Sequence, residues 1–181
     1  MKLMIHAGIA GLVSLGLLFF SSPILASESS KIDYKSDGKA TAKACLSFLA
    51  DGQATTALTK SGFEIKRSTK KVTYFRKAVN GGLLPASFGF TLVKKPGNQD
   101  YRRCSLSLTL PNRVMTELSS PEFSEVLKAF RSQFKLNGYK KSSQKNSVGK
   151  ETEIWTGPHG SYKLQVIASM GSPGFDVVPT K

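Results

Sequence analysis

Phe88-Gly89-Phe90-Thr91-Leu92-Val93 and Tyr101-Arg102-Arg103-Cys104-Ser105-Leu106-Ser107-Leu108-Thr109-Leu110 are two alternating runs separated by a turn at Lys94 to Asp100 that contains Pro96-Gly97-Asn98. Side chains of a strand point to opposite faces at a period of two. Phe88, Phe90 and Leu92 therefore share one face, as do Cys104, Leu106, Leu108 and Leu110. The joined runs form a hairpin with one apolar face, and that face needs a helix laid across it.

The helix is legible downstream. Ser120 supplies an N-cap, Pro121 a first helical residue without a needed N–H, and Glu122 a favourable charge in the first turn. Phe123, Val126, Leu127, Phe130 and Phe134 then recur on one stripe, and Gly138 suits the C-terminal cap. A second helix is read over Ala40 to Ala50. There Ala44, Cys45, Phe48 and Leu49 share a face, with Lys39 and Lys43 opposite. A short helix over Ala54 to Lys60 stops near Gly62. Further strands are expected at Phe63 to Ser68, Val72 to Lys77, Tyr139 to Ser143, Glu151 to Thr156, Tyr162 to Ala168 and Phe175 to Val178, with a loop at Asn80 to Pro85.

The fold class is thus α+β, a mostly antiparallel sheet with two main helices packed on one face. The two halves share an order of helix, Gly-containing stop and strands, with Ser61-Gly62-Phe63 answered by Asn137-Gly138-Tyr139. Two readings fit this order, a duplicated helix-plus-sheet unit and the ordinary grammar of an α+β domain.

Residues 1–26 read as a secretory signal peptide. Lys2 precedes an apolar run of 14 residues, Ala7 to Phe20, and cleavage is expected after Ala26. An uncleaved membrane anchor is the alternative, but a span needs about 20 apolar residues. No later run approaches that length. Residues 27–38 are polar and aperiodic and read as a flexible arm, and residues 39–181 as a single α+β domain. The expected location is periplasmic or secreted.

Export favours pairing of the only two cysteines, Cys45 and Cys104. Both point toward the core by independent periodicities, so their bond would pin the first helix onto the sheet. The alternative is two separate buried thiols. No C-x-x-C supports a redox role.

The chain carries 26 Lys and Arg against 12 Asp and Glu, and loss of the leader removes Lys2 and no acid. Eleven cations against two acids lie between Lys60 and Arg103, and seven cations with no acid between Lys128 and Lys150. Such a surface concentrates polyanions in a salt-sensitive way. High background charge serving solubility is the bland alternative. Two candidate binding patches emerge. The first joins Lys128, Arg131 and Lys135 on the helix, spaced by three and four, to Lys140 and Lys141 just beyond it. The second is Lys66, Arg67, Lys70 and Lys71.

Motifs for chemistry are sparse. Beyond the leader there is one histidine, His159, in a Gly157-Pro158-His159-Gly160 turn, which excludes most Ser-His-Asp and His-rich metal schemes. Trp155 and Tyr162 beside it are candidates for the rim of a small pocket. The S-x-x-K matches from Ser36, Ser68, Ser142 and Ser147 lack supporting motifs. Glu151 with Glu153, and Glu122 with Glu125, are the candidate carboxylate pairs, and solvation or helix dipole explains each. No catalytic residue, metal ligand or cofactor is assigned.

The reading is an exported, non-enzymatic basic domain of binding or inhibitor type. Its expected partner is an anionic polymer, lipid headgroup or acidic protein of the cell envelope, with nucleic acid ranked lower. The alternatives are a small envelope hydrolase using carboxylates or a Ser-Lys pair, and an accessory subunit of an envelope complex.

Overall fold

The computed structural model describes residues 31–53, 57–79, 85–95, 98–110, 118–145, 151–169 and 172–180. The signal-peptide reading, the start of the arm and the loop at 80–84 lie outside the described residues. Among the described residues no helix is long and apolar enough to cross a membrane.

The elements run α1 (Tyr34–Asp51), α2 (Ala57–Lys60), β1 (Glu64–Ser68), β2 (Val72–Val79), β3 (Ala86–Lys95), β4 (Asn98–Thr109), α3 (Pro121–Leu136), β5 (Lys140–Lys145), β6 (Glu151–Gly157), β7 (Gly160–Ser169) and β8 (Ser172–Pro179). The strands form one eight-stranded antiparallel sheet in the order β1-β2-β3-β4-β8-β7-β6-β5. Each long helix is followed by a four-stranded meander, and the meanders join where β4 pairs with β8, Leu106 opposite Phe175.

The alternation that opened the sequence reading sets the register. Phe90 pairs with Leu106 and Leu92 with Cys104, all buried and all on one face. Helices α1 and α3 cover that face. Phe130 meets Phe175 edge-on at 4.7 Å, and Phe134 meets Trp155 at 5.6 Å. A single hydrophobic cluster runs from Ala42 and Phe48 on α1 through the strands to Phe123 and Phe134 on α3. The expected disulfide joins Cys45 of α1 to Cys104 of β4, with their Cα atoms 5.8 Å apart.

The caps of α3 follow the sequence reading. Phe123 N donates to Ser120 Oγ, and Gly138 adopts φ +81° just past the helix end. Helix α1 begins earlier than expected, within the stretch assigned to the flexible arm. Asp33 caps it by accepting from Ser36 N at 2.9 Å, while its own N–H donates to Asp37 Oδ2 at 3.1 Å, and Ile32 just before is buried. The run from Lys35 to Lys39 hides this turn because its inward positions are Asp37 and Gly38. Gly38 is the point where α3 crosses. A Cβ there would lie 3.0 Å from the Val126 carbonyl oxygen and 3.1 Å from the Ala129 Cβ. The polarity that concealed the turn serves a buried ion pair and a close helix contact.

Candidate anion-binding groove between the helices

The close crossing at Gly38 leaves a groove of about 560 Å³ beside it, lined chiefly by Lys35 and Lys39 of α1 and Ser124, Glu125, Lys128 and Ser132 of α3. Lys35 and Lys39 are one turn apart on α1, so both ammonium groups border the same side. Ser124, Lys128 and Ser132 repeat at four-residue spacing on α3 and form the facing wall. None of the three lysines is ion-paired among the described residues. Glu125 is the one acid on the lining, leaving a formal excess of two positive charges. Three flexible donors on two rigid helices suit phosphate or carboxylate groups presented in series.

The candidate patches fare unequally. Lys128 joins the groove, but Arg131, one turn further on, turns to the sheet instead. Its Nε donates to Glu153 Oε2 at 3.1 Å and its Nη2 to Oε1. Lys141 approaches the same carboxylate at 3.2 Å, and Trp155 Nε1 donates to Oε2 at 3.3 Å. Burial alone would raise the Glu153 carboxyl, yet Arg131 and Lys141 together hold it below its ordinary value. Arg131 and Lys141 are thus both paired with the half-enclosed Glu153 carboxylate. Lys135 and Lys140 are exposed beyond it.

The second patch lies at the far edge of the sheet. Lys66 is paired with its neighbour Glu64, while Arg67, Lys70 and Lys71 are exposed on β1 and the following turn. Seven strand intervals separate β1 from β5, roughly 34 Å across a sheet. The two patches therefore belong to different surfaces. Lys35 and Lys39, which complete the groove, were missed because Lys35 falls in the stretch read as an arm and Lys39 was read only as part of the polar face of the first helix. Their spacing by four from each other and from Lys43 was the available signal.

Candidate chemistry elsewhere is largely accounted for. Trp155 is buried against Phe134, and Tyr162 donates to the His159 carbonyl at 2.6 Å, so neither rims an open pocket. His159 instead borders a recess of about 340 Å³ with Lys43, Leu46, Ser47, Asn137 and Tyr139. The Tyr139 hydroxyl is buried there without a hydrogen bond of good geometry, while the nearby His159 carbonyl accepts from Tyr162. Burial pushes its pKa up to about 12.

On the face away from the helices a hollow of about 180 Å³ is bordered by Arg103, Ser105, Ser107, Ile167 and Asp176. Asp176 is paired with Arg103 there. Lys77 and Asp37 form another internal pair at 2.9 and 3.0 Å under α1. Burial outweighs Lys77 and raises the Asp37 carboxyl. Of the carboxylate pairs, Glu153 is clasped as described, and the Glu151 side chain lies outside the described residues. Ser147 and Lys150 also lie outside them.

Among the described residues no group of three or more His, Cys, Asp or Glu is placed to hold a metal ion. No family model, curated protein or solved structure matches this chain.

Proposed function

We propose that this protein is a non-enzymatic binding domain for an anionic partner of the cell envelope, and that the groove between α1 and α3 is its binding site. The observation that carries the reading is the convergence of Lys35, Lys39 and Lys128 on one groove with a single acid among its side chains. The groove suits a chain bearing phosphate or carboxylate groups at close intervals, such as an acidic envelope polysaccharide. Export of the protein rests on the leader and is consistent with the Cys45–Cys104 bond.

Duplication belongs to the same proposal. The order α1, β1 to β4 is repeated as α3, β5 to β8, and the sheet is arranged symmetrically about the β4–β8 junction. The groove would then lie between the two equivalent helices, where each repeat contributes one wall. In that scheme the Lys66 to Lys71 and Lys140 to Lys141 patches occupy equivalent sheet edges rather than one site.

The test is a titration of the mature protein, disulfide intact, against lipopolysaccharide, acidic cell-wall fragments and DNA at several salt concentrations. Binding to one envelope polymer that persists near physiological salt is expected, with a loss of tenfold or more in Lys35→Gln/Lys39→Gln/Lys128→Gln. Unchanged affinity in that variant would falsify the groove as the site. Uniformly weak binding that vanishes with salt would mean that the charge is background.

A further inference from the structure

We propose that the outer edge of β5 is a strand-addition site for an extended acidic segment of a partner protein. Strand β5 ends the sheet, and its six residues, Lys140 to Lys145, are all exposed. They pair with β6 in unbroken register from Lys140 opposite Thr156 to Lys145 opposite Glu151. An edge strand in such register presents half of its N–H and C=O groups outward, which is a template for another strand.

The opposite edge of the sheet differs. Strand β1 has five residues and an irregularity between Ile65 and Arg67 that breaks its register, and Lys66 is held by Glu64. A bulge of this kind twists an edge away from pairing. Strand β5 has no such irregularity.

Charge selects the occupant. Strand β5 reads Lys140-Lys141-Ser142-Ser143-Gln144-Lys145, with three cations and no acid. Lys141 is committed to Glu153, and Lys145 stands opposite Glu151, whose side chain lies outside the described residues, whereas Lys140 makes no ion pair among the described residues. In an antiparallel pairing of two β5 strands centred on Ser142 and Ser143, Lys140 of each copy would face Lys145 of the other. Like charges directly opposite are destabilising, so a second copy of this chain is disfavoured. A strand with acids opposite Lys140 and Lys145 meets both requirements. Those positions are five apart and lie on opposite faces, so its acids must project to both sides. Main-chain hydrogen bonds would supply the pairing and the lysines the selectivity.

The site is separate from the helix groove, and the experiment distinguishes them. The probe is a synthetic ten-residue peptide of alternating Glu and Thr together with a ten-residue peptide carrying Glu at both even and odd positions. Each is also made with alternate backbone amides methylated, which preserves charge and removes main-chain donors. Affinity is read by fluorescence polarisation and the β5 amides by hydrogen exchange. The expected result is that the two-faced peptide binds best, loses at least tenfold on methylation and slows exchange across Lys140 to Lys145. The Lys35→Gln/Lys39→Gln/Lys128→Gln variant should bind it unchanged, and Lys140→Gln/Lys145→Gln should bind it more weakly. Equal binding of methylated and unmethylated peptides would overturn the proposal, since charge alone would account for it. Loss of binding in the groove variant would overturn it too, by placing the peptide between the helices. If neither peptide binds, the edge lysines serve only to prevent pairing and the proposal fails.

Discussion

Arg131 of α3 reaches across to β6 and donates to both carboxylate oxygens of Glu153, with Nε 3.1 Å from Oε2. The contact ties α3 to the strand that carries Trp155, and it commits a half-buried cation to a partner within the fold. The Glu153 side chain is only 16% exposed, so solvent screens this pair less than a surface bridge. Glu153→Gln should destabilise the fold by about 1–2 kcal/mol, between the values typical of exposed and buried pairs. The folded carboxyl lies below its ordinary value of 4.5. Its stabilisation is therefore present above that value and is lost as pH falls through the lowered one. Denaturant unfolding from pH 7 to pH 3 should show a flatter acid dependence in the variant. An identical acid dependence in both proteins would refute the assignment.

Lys77 and Asp37 are more deeply enclosed, with side chains 8% and 3% exposed. Removing only the cation leaves a buried carboxylate without its partner, so Lys77→Met should cost about 3–5 kcal/mol at neutral pH. Asp37 has a raised pKa in the folded state, and in the variant that shift should grow. A raised carboxyl favours folding fully below its unfolded value and ceases to do so as pH rises through the folded one. The damage should accordingly shrink on acidification toward the ordinary aspartate value of 3.8. The double variant Asp37→Leu/Lys77→Met should lose less than the single one at pH 7, as measured by urea unfolding. A double variant equally damaged would show that the pair is needed for more than mutual neutralisation.

The Cys45–Cys104 bond closes a separation of 59 residues and fastens α1 to the central strand β4. Chain entropy assigns such a loop about 4 kcal/mol, before native-state strain. Cys45→Ala/Cys104→Ala should fall in stability by that order, and reductant should lower the unfolding midpoint of the parent protein but leave the variant unaffected. The same midpoint with and without reductant would mean that native-state strain or residual structure in the unfolded chain cancels the entropic gain.

The sheet was legible because its inward residues are apolar at a strict period. Phe88, Phe90 and Leu92 answered by Cys104, Leu106 and Leu108 admit one face and one register, since a slip by one residue would expose the whole set. Helix α3 was equally plain, with a proline, a cap and a phenylalanine stripe that local chemistry makes unambiguous. The even pair of cysteines, each on an inward position, gave the disulfide before any contact was known. The first turn of α1 was obscured because its inward positions are Asp37 and Gly38, whose roles are fulfilled only by Lys77 on β2 and by Val126 and Ala129 on α3.

The groove shows the same division. Composition and spacing by themselves determined that the chain is cationic, where its lysines cluster and that Lys128, Arg131 and Lys135 share a helix flank. Whether a cation remains available is a question of which carboxylate comes within reach, and those partners are remote in sequence. Glu153 lies 22 residues from Arg131 and removes it from the patch, while α1 delivers Lys35 and Lys39 to Lys128 from more than 80 residues away. Local periodicity decides which face of an element is buried. Only the packing of α1 against α3 and of α3 over β6 decides which charges on the other face are left to meet a partner.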